Sequence, residues 1–110
     1  GILWDLLIYY TFRKLKKKNN MVDYLENMRK LRKENKGLTL ELKIREEMSK
    51  KYRSILKEAW GNNEGVMNEV SKLLVDNKAR KKEIETSLRE SKKMIRLNNQ
   101  EYCKVKAMKD

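Results

Sequence analysis

Little in this chain can stop a helix: proline is absent, and two of the four glycines fall in the pentapeptide Gly61-Asn62-Asn63-Glu64-Gly65. Those two residue types end or kink helices most strongly. A sequence so poor in them is confined to a few long helices, with the pentapeptide as the natural place to fold back. Gly61 suits the left-handed position that follows a helix end. Asn62 or Asn63 can cap the next helix, and Glu64 then lies at that helix's positive end.

Beyond the turn, residues 66–108 contain no breaker. Taking Val70 as position a gives the a/d series Val70, Leu74, Asn77, Lys81, Ile84, Leu88, Ser91, Ile95, Asn98, Tyr102 and Val105. A repeat kept this long predicts a coiled-coil seam, with Val70, Leu74, Ile84, Leu88, Ile95 and Tyr102 as its anchors. Asn77 and Asn98 are either buried, where asparagine costs stability but fixes register, or simply wet. The sequence leaves both readings open.

Before the turn, Met21, Leu25, Met28 and Leu31 share one helical face. Past Gly37 the stripe resumes with Leu38, Leu42, Met48, Tyr52, Ile55, Leu56, Ala59 and Trp60, weakened by the gap between Leu42 and Met48. Residues 38–44 alternate like a strand, but no second such run exists to pair with them, so they read as helix. Glu26 with Lys30, Glu41 with Arg45, Glu46 with Lys50 and Glu47 with Lys51 are acid-to-base pairs at i,i+4, each worth about 0.2–0.5 kcal/mol to a helix. Helices over 21–60 and 64–108, separated by a turn at 61–63, would be roughly 60 and 67 Å long at about 1.5 Å per residue. Folded antiparallel, they set Ile55 near Val70 and Met28 near Ile95. The expected fold is all-α, a long antiparallel helical hairpin or coiled coil over residues 21–110, preceded by a short apolar helix. Such a hairpin buries one face of each helix and gains from further helices, supplied by residues 2–18, a second copy or another protein.

Residues 1–20 form a segment of different character. Residues 2–12 are apolar nearly all round, which on a helix means burial on every side or contact with lipid. Eleven residues fall short of the 17–25 that span a bilayer. Arg13-Lys14-Leu15-Lys16-Lys17-Lys18 follows at once, an order that resembles the cytoplasmic end of a membrane anchor. Ile2, Leu3, Trp4, Leu7, Ile8 and Phe12 are the candidate partner-docking residues, because large apolar groups dominate binding hot spots. Packing of this segment on the chain's own hairpin is the alternative. Arg13, Lys14, Lys16, Lys17 and Lys18 are the candidate contacts to an anionic surface, unless they form an ordinary solvated face or an import signal. Because position 1 is glycine, the chain reads as a processed form or a piece of something longer.

The formal charge of +12 is spread evenly: 5 basic and 1 acidic residues in 1–20, 11 and 7 in 21–60, 12 and 8 in 61–110. Only the first segment is dense. Cys103 is the single cysteine and histidine is absent, so neither an internal disulfide nor an ordinary zinc site is expected from this chain alone. An intracellular, reducing compartment is the simplest expectation, with cytoplasm, nucleus and organelle not separated. No base of the histidine type and no Gly-rich phosphate loop is present, and Glu64 and Glu69 read as helix N-terminal acids. No catalysis, cofactor or small-molecule substrate is therefore expected. Lys51-Tyr52-Arg53 resembles, in two of three positions, the Leu-Tyr-Arg tripeptide of small helical mitochondrial accessory proteins. It lacks the leucine and stands at another distance from the N-terminus, so it assigns no family.

These features lead to a non-enzymatic coiled-coil structural or tethering subunit of a larger multiprotein assembly. Its partners would be other helical chains, in a hetero- or homo-oligomer, with an acidic surface, RNA or anionic lipid against the basic run. Two alternatives stand beside it: a small basic subunit of a ribosome or other ribonucleoprotein, and a membrane-anchored coiled coil. Evenly distributed acids weigh against the first, and residues upstream of Gly1 would decide the second.

Overall fold

The computed structural model describes residues 1–108, which form two helices, α1 (Ile2–Ala59) and α2 (Glu64–Ala107), packed antiparallel as a hairpin. The apolar start is not a helix of its own but the first three turns of α1. Asn19 and Asn20 stay helical inside α1, because asparagine without a competing cap costs only about 0.7 kcal/mol against alanine. Gly37 is also passed without a break, exposed and with open space where a Cβ would stand. The strand-like stretch 38–44 is helical as well.

The turn is built by its own polar atoms. Gly61 takes φ +76°, and the Asn62 and Asn63 amides donate to the Ala59 carbonyl at 3.0 and 3.1 Å. Asn63 Oδ1 accepts from the Val66 amide at 3.2 Å, so Asn63 rather than Asn62 is the N-cap of α2. Glu64 opens that helix at its positive end.

Two compact units divide the hairpin: a turn unit, Glu34–Glu90, and an open-end unit made of Gly1–Lys33 with the chain from Ser91 onward. In the turn unit Ile84 is fully buried and Val70 nearly so. Leu74 and Leu88 of α2 are half-buried, as are Leu38, Leu42, Tyr52, Leu56 and Ala59 of α1. The gap between Leu42 and Met48 is bridged by the half-buried Arg45, and the four-three count runs on from it through the buried Ser49. Ile55 and Trp60 lie off this seam and are exposed. Asn77, 3 % exposed, donates from Nδ2 to Ser49 Oγ at 2.6 Å and to the Arg45 carbonyl at 2.8 Å. Its Oδ1 accepts from Arg45 Nη1 at 3.0 Å. Beside this group the Glu41 carboxylate takes two bonds from Arg80, Nη2 at 2.8 Å and Nε at 3.2 Å, and a longer one from Arg45 at 3.5 Å.

The Ser49–Asn77 bond fixes the register. Counting in opposite directions from that layer sets Leu56 opposite Val70, one residue from the expected Ile55, and Leu42 opposite Ile84. The spacing of four from Val70 to Leu74 makes Val70, Asn77 and Ile84 d rather than a positions, since d to a is the four-residue step.

The open-end unit has one buried apolar side chain among its described residues, Met28 at 2 % exposure. Met21, Tyr24 and Leu31 of α1 and Ile95, Tyr102 and Val105 of α2 are half-buried, while Leu25 is exposed. Asn98 is half-buried and bonds within its own helix, to the Met94 carbonyl at 2.8 Å. Lys17 Nζ donates to the Met108 carbonyl, so Lys17 marks the layer that the described part of α2 reaches. Continuing the same count sets Met28 opposite Asn98 and Leu31 opposite Ile95.

Among the described residues, Met28, Val70 and Ile84 are the whole buried apolar core. The chain exposes 9234 Å², whereas a compact monomer of 13.3 kDa exposes roughly 6,500 Å². Two helices can bury one stripe each, and the remaining surface is left to solvent or to partners.

Candidate interaction surface

Upstream of the Lys17 layer the side chains of α1 are exposed among the described residues. The 4-3 count of its seam extends there through Lys14, Tyr10, Leu7 and Leu3, all exposed. Each candidate docking residue, Ile2, Leu3, Trp4, Leu7, Ile8 and Phe12, is at least half exposed, up to 84 % for Leu3. Leu6, Tyr9 and Tyr10 join them, the two tyrosine rings meeting edge-on at 6.3 Å. At about 100° per residue these nine side chains leave no polar face. The alternative in which this segment packs on its own hairpin is set aside by that exposure. Helical geometry is kept at its start by the Asp5 amide donating to the Gly1 carbonyl at 3.2 Å, and further along by Thr11 Oγ1 donating to the Leu7 carbonyl at 2.9 Å.

The basic residues come next on the same rigid helix. Arg13, Lys14, Lys16 and Lys18 are exposed and Lys17 is half-buried. Together they cover about 200° of the helix circumference, with Leu15 in the remaining sector. Fold-back adds charge that the linear order of residues does not reveal: the last turn of α2 carries Lys104 and Lys106, and the Lys17–Met108 bond brings that end of α2 alongside. Lys104 pairs with Glu101 at 3.2 Å, and Lys106 Nζ stands 6.0 Å from the centre of the Tyr102 ring. Between α1 and the end of α2 lies an open cleft of about 420 Å³, lined among others by Tyr9, Phe12, Arg13, Lys17, Val105 and Met108. Its α1 wall mixes Tyr9 and Phe12 with cations, and its α2 wall is formed by Val105 and Met108.

Of the six seam anchors named from spacing, Val70 and Ile84 are buried and Leu74, Leu88, Ile95 and Tyr102 half-buried. Sequence reasoning missed the polar half of the seam, Arg45 and Ser49, and the contribution of Lys104 and Lys106. Extending the four-three count through polar positions finds the first pair; only the hairpin register finds the second.

Among the described residues no helix is long and apolar enough to cross a membrane, and no group of three or more His, Cys, Asp or Glu side chains is placed to hold a metal ion. The turn unit couples two titrations: the hydrogen bonds between Arg80 and Glu41 raise the pKa of the guanidinium and hold the Glu41 carboxyl below its ordinary value. The charges of Arg80 and Arg45 add to that shift, against partial desolvation. No protein-family model, no curated protein and no solved structure matches this chain.

Proposed function

We propose that the chain is a non-enzymatic structural or tethering element, a helical hairpin that presents residues 2–12 as a rigid apolar plug for insertion into a partner. The observation that supports this reading is the exposure of nine large apolar side chains on a helix continuous with the hairpin. Full burial of one such side chain stabilises by about 1.5–3 kcal/mol. Burying half of that surface gives on the order of 10 kcal/mol, comparable with the cost of lost freedom on association, about 4–15 kcal/mol. A hairpin held by three buried apolar residues has reason to gain stability this way. Its action would be geometric: the plug fixes position, and the adjoining cations favour an acidic partner surface.

Light scattering on a sizing column, with helicity followed by circular dichroism, tests this on residues 1–110 against residues 13–110. Concentration-dependent association of the full chain, absent from the shortened one, is the expected result. Two helical monomers of the same behaviour would remove the plug as an insertion element.

A further inference from the structure

We propose that the plug's partner is an anionic phospholipid bilayer, with residues 2–12 in the hydrocarbon while the cations of α1 and of the last turn of α2 lie on the headgroup side. This rests on the insertion reading above and names its partner.

The argument is the way apolar and cationic groups are separated. A helix that lies flat in a membrane surface carries an apolar face and a polar face along its length. Here the two kinds of residue are separated along the axis instead. Residues 2–12 are apolar around the circumference, and the cations begin abruptly at Arg13. A surface groove covers one side of a helix, whereas the interior of a helical assembly or hydrocarbon covers all sides; of these two, only an anionic bilayer also supplies negative charge at the end of the apolar stretch. A second copy laid alongside would also cover one side, and it would bring no charge opposite to Arg13, Lys14, Lys16 and Lys18. Eleven residues at about 1.5 Å each reach roughly 16 Å, about half of the ~30 Å hydrocarbon core.

The fold supplies the second half of the argument. The Lys17–Met108 bond brings the last turn of α2 alongside, so Lys106 and Lys104 extend the cationic zone of α1 from Lys18 toward Val22, on the side away from the plug. The acids near that zone among the described residues are Asp5 on the plug, Asp23 on α1 and Glu101, the last paired with Lys104. Asp5 is the one group that opposes insertion, a single carboxyl among nine large apolar side chains. Clusters of lysine beside an apolar insertion are the recognisable chemistry of anionic-lipid binding.

The test is flotation of the full chain with vesicles of pure phosphatidylcholine and with vesicles containing 30 % phosphatidylglycerol. Each cation near an anionic surface contributes about fivefold. Binding to the anionic vesicles is therefore expected to exceed binding to neutral ones at least tenfold, and Lys14→Gln, Lys16→Gln and Lys18→Gln together to lower it by roughly a hundredfold. Depth is read in a Trp60→Phe background, which leaves Trp4 as the sole tryptophan. Its emission should shift to the blue and be quenched most by lipids brominated deep in the acyl chain. Leu7→Glu with Ile8→Glu, checked for unchanged helicity, should abolish both signals. Shallow quenching only, equal binding to both vesicles, or no flotation each overturns the proposal. If the full chain fails to float yet associates through residues 1–12 on the sizing column, a second copy occupies the plug and the insertion reading survives alone. If it neither floats nor associates, both readings fall.

Discussion

Gly37 and Gly61 are the same residue under opposite demands. Gly37 sits exposed inside α1 with free space for a Cβ, so Gly37→Ala removes backbone entropy from the unfolded chain and should stabilise by about 0.5–1 kcal/mol. Gly61 holds φ +76°, a region that costs an L-residue about 1–2 kcal/mol, so Gly61→Ala should destabilise by that amount. Urea melts of the two variants check both signs. At Asn77, whose amide is satisfied by Ser49 and Arg45, Asn77→Ala strands buried polar groups and should cost about 1–3 kcal/mol. Asn77→Leu should instead loosen the register, read as a mixture of states in the amide NMR spectrum. Sequence left Asn77 and Asn98 equally open, and they part company for a reason the spacing does not carry. Burial of an amide depends on what stands across the seam, and Asn77 meets Ser49 and Arg45. Glu41 adds a pH dependence. Its folded pKa lies below the ordinary 4.5, so its contribution is fully present above that value and is lost as pH falls through the folded pKa. The stability difference between the native chain and Glu41→Gln should shrink steadily in urea melts taken below pH 4.5.

At the level of the helix, α2 is legible because its anchors recur at strict spacings of four and three, and all eleven positions from Val70 to Val105 are placed on one face without knowledge of α1. Lys81 is among them, a charged side chain kept half-buried in the seam. α1 is harder. Arg45 and Ser49 occupy seam positions, so the apolar stripe lapses where the packing does not, and Ile55 and Trp60 imitate anchors while standing exposed. Asn19 and Asn20 look like a boundary but cost too little to end a helix. Salt bridges shift in the same local manner: Glu26 reaches Arg29 and Glu47 reaches Lys50, at i,i+3 rather than i,i+4. The seam itself is open to test. Ile95→Asp places a charge in a half-buried layer and should lower the melting temperature by about 10 °C or more, at 4–8 °C per kcal/mol for a chain of this size. Lys92→Asp on the exposed face should shift it by a few degrees at most.

For the whole molecule, the one turn decides how far apart in sequence each layer of the hairpin must be gathered. Asn77 meets Ser49 across 28 residues, Arg80 meets Glu41 across 39, and Lys17 meets Met108 across 91. Closing a loop costs more entropy the longer it is, and pairing near the turn is both cheapest and fastest to form. The hairpin should therefore zip from Gly61 outward. Turn and near-turn changes such as Gly61→Ala should slow folding, whereas Met28→Ala should act chiefly by speeding unfolding, a split that stopped-flow chevrons resolve. During synthesis the apolar plug is made early and the last turn of α2 late, so the plug meets its surroundings while the helix that will flank it does not yet exist.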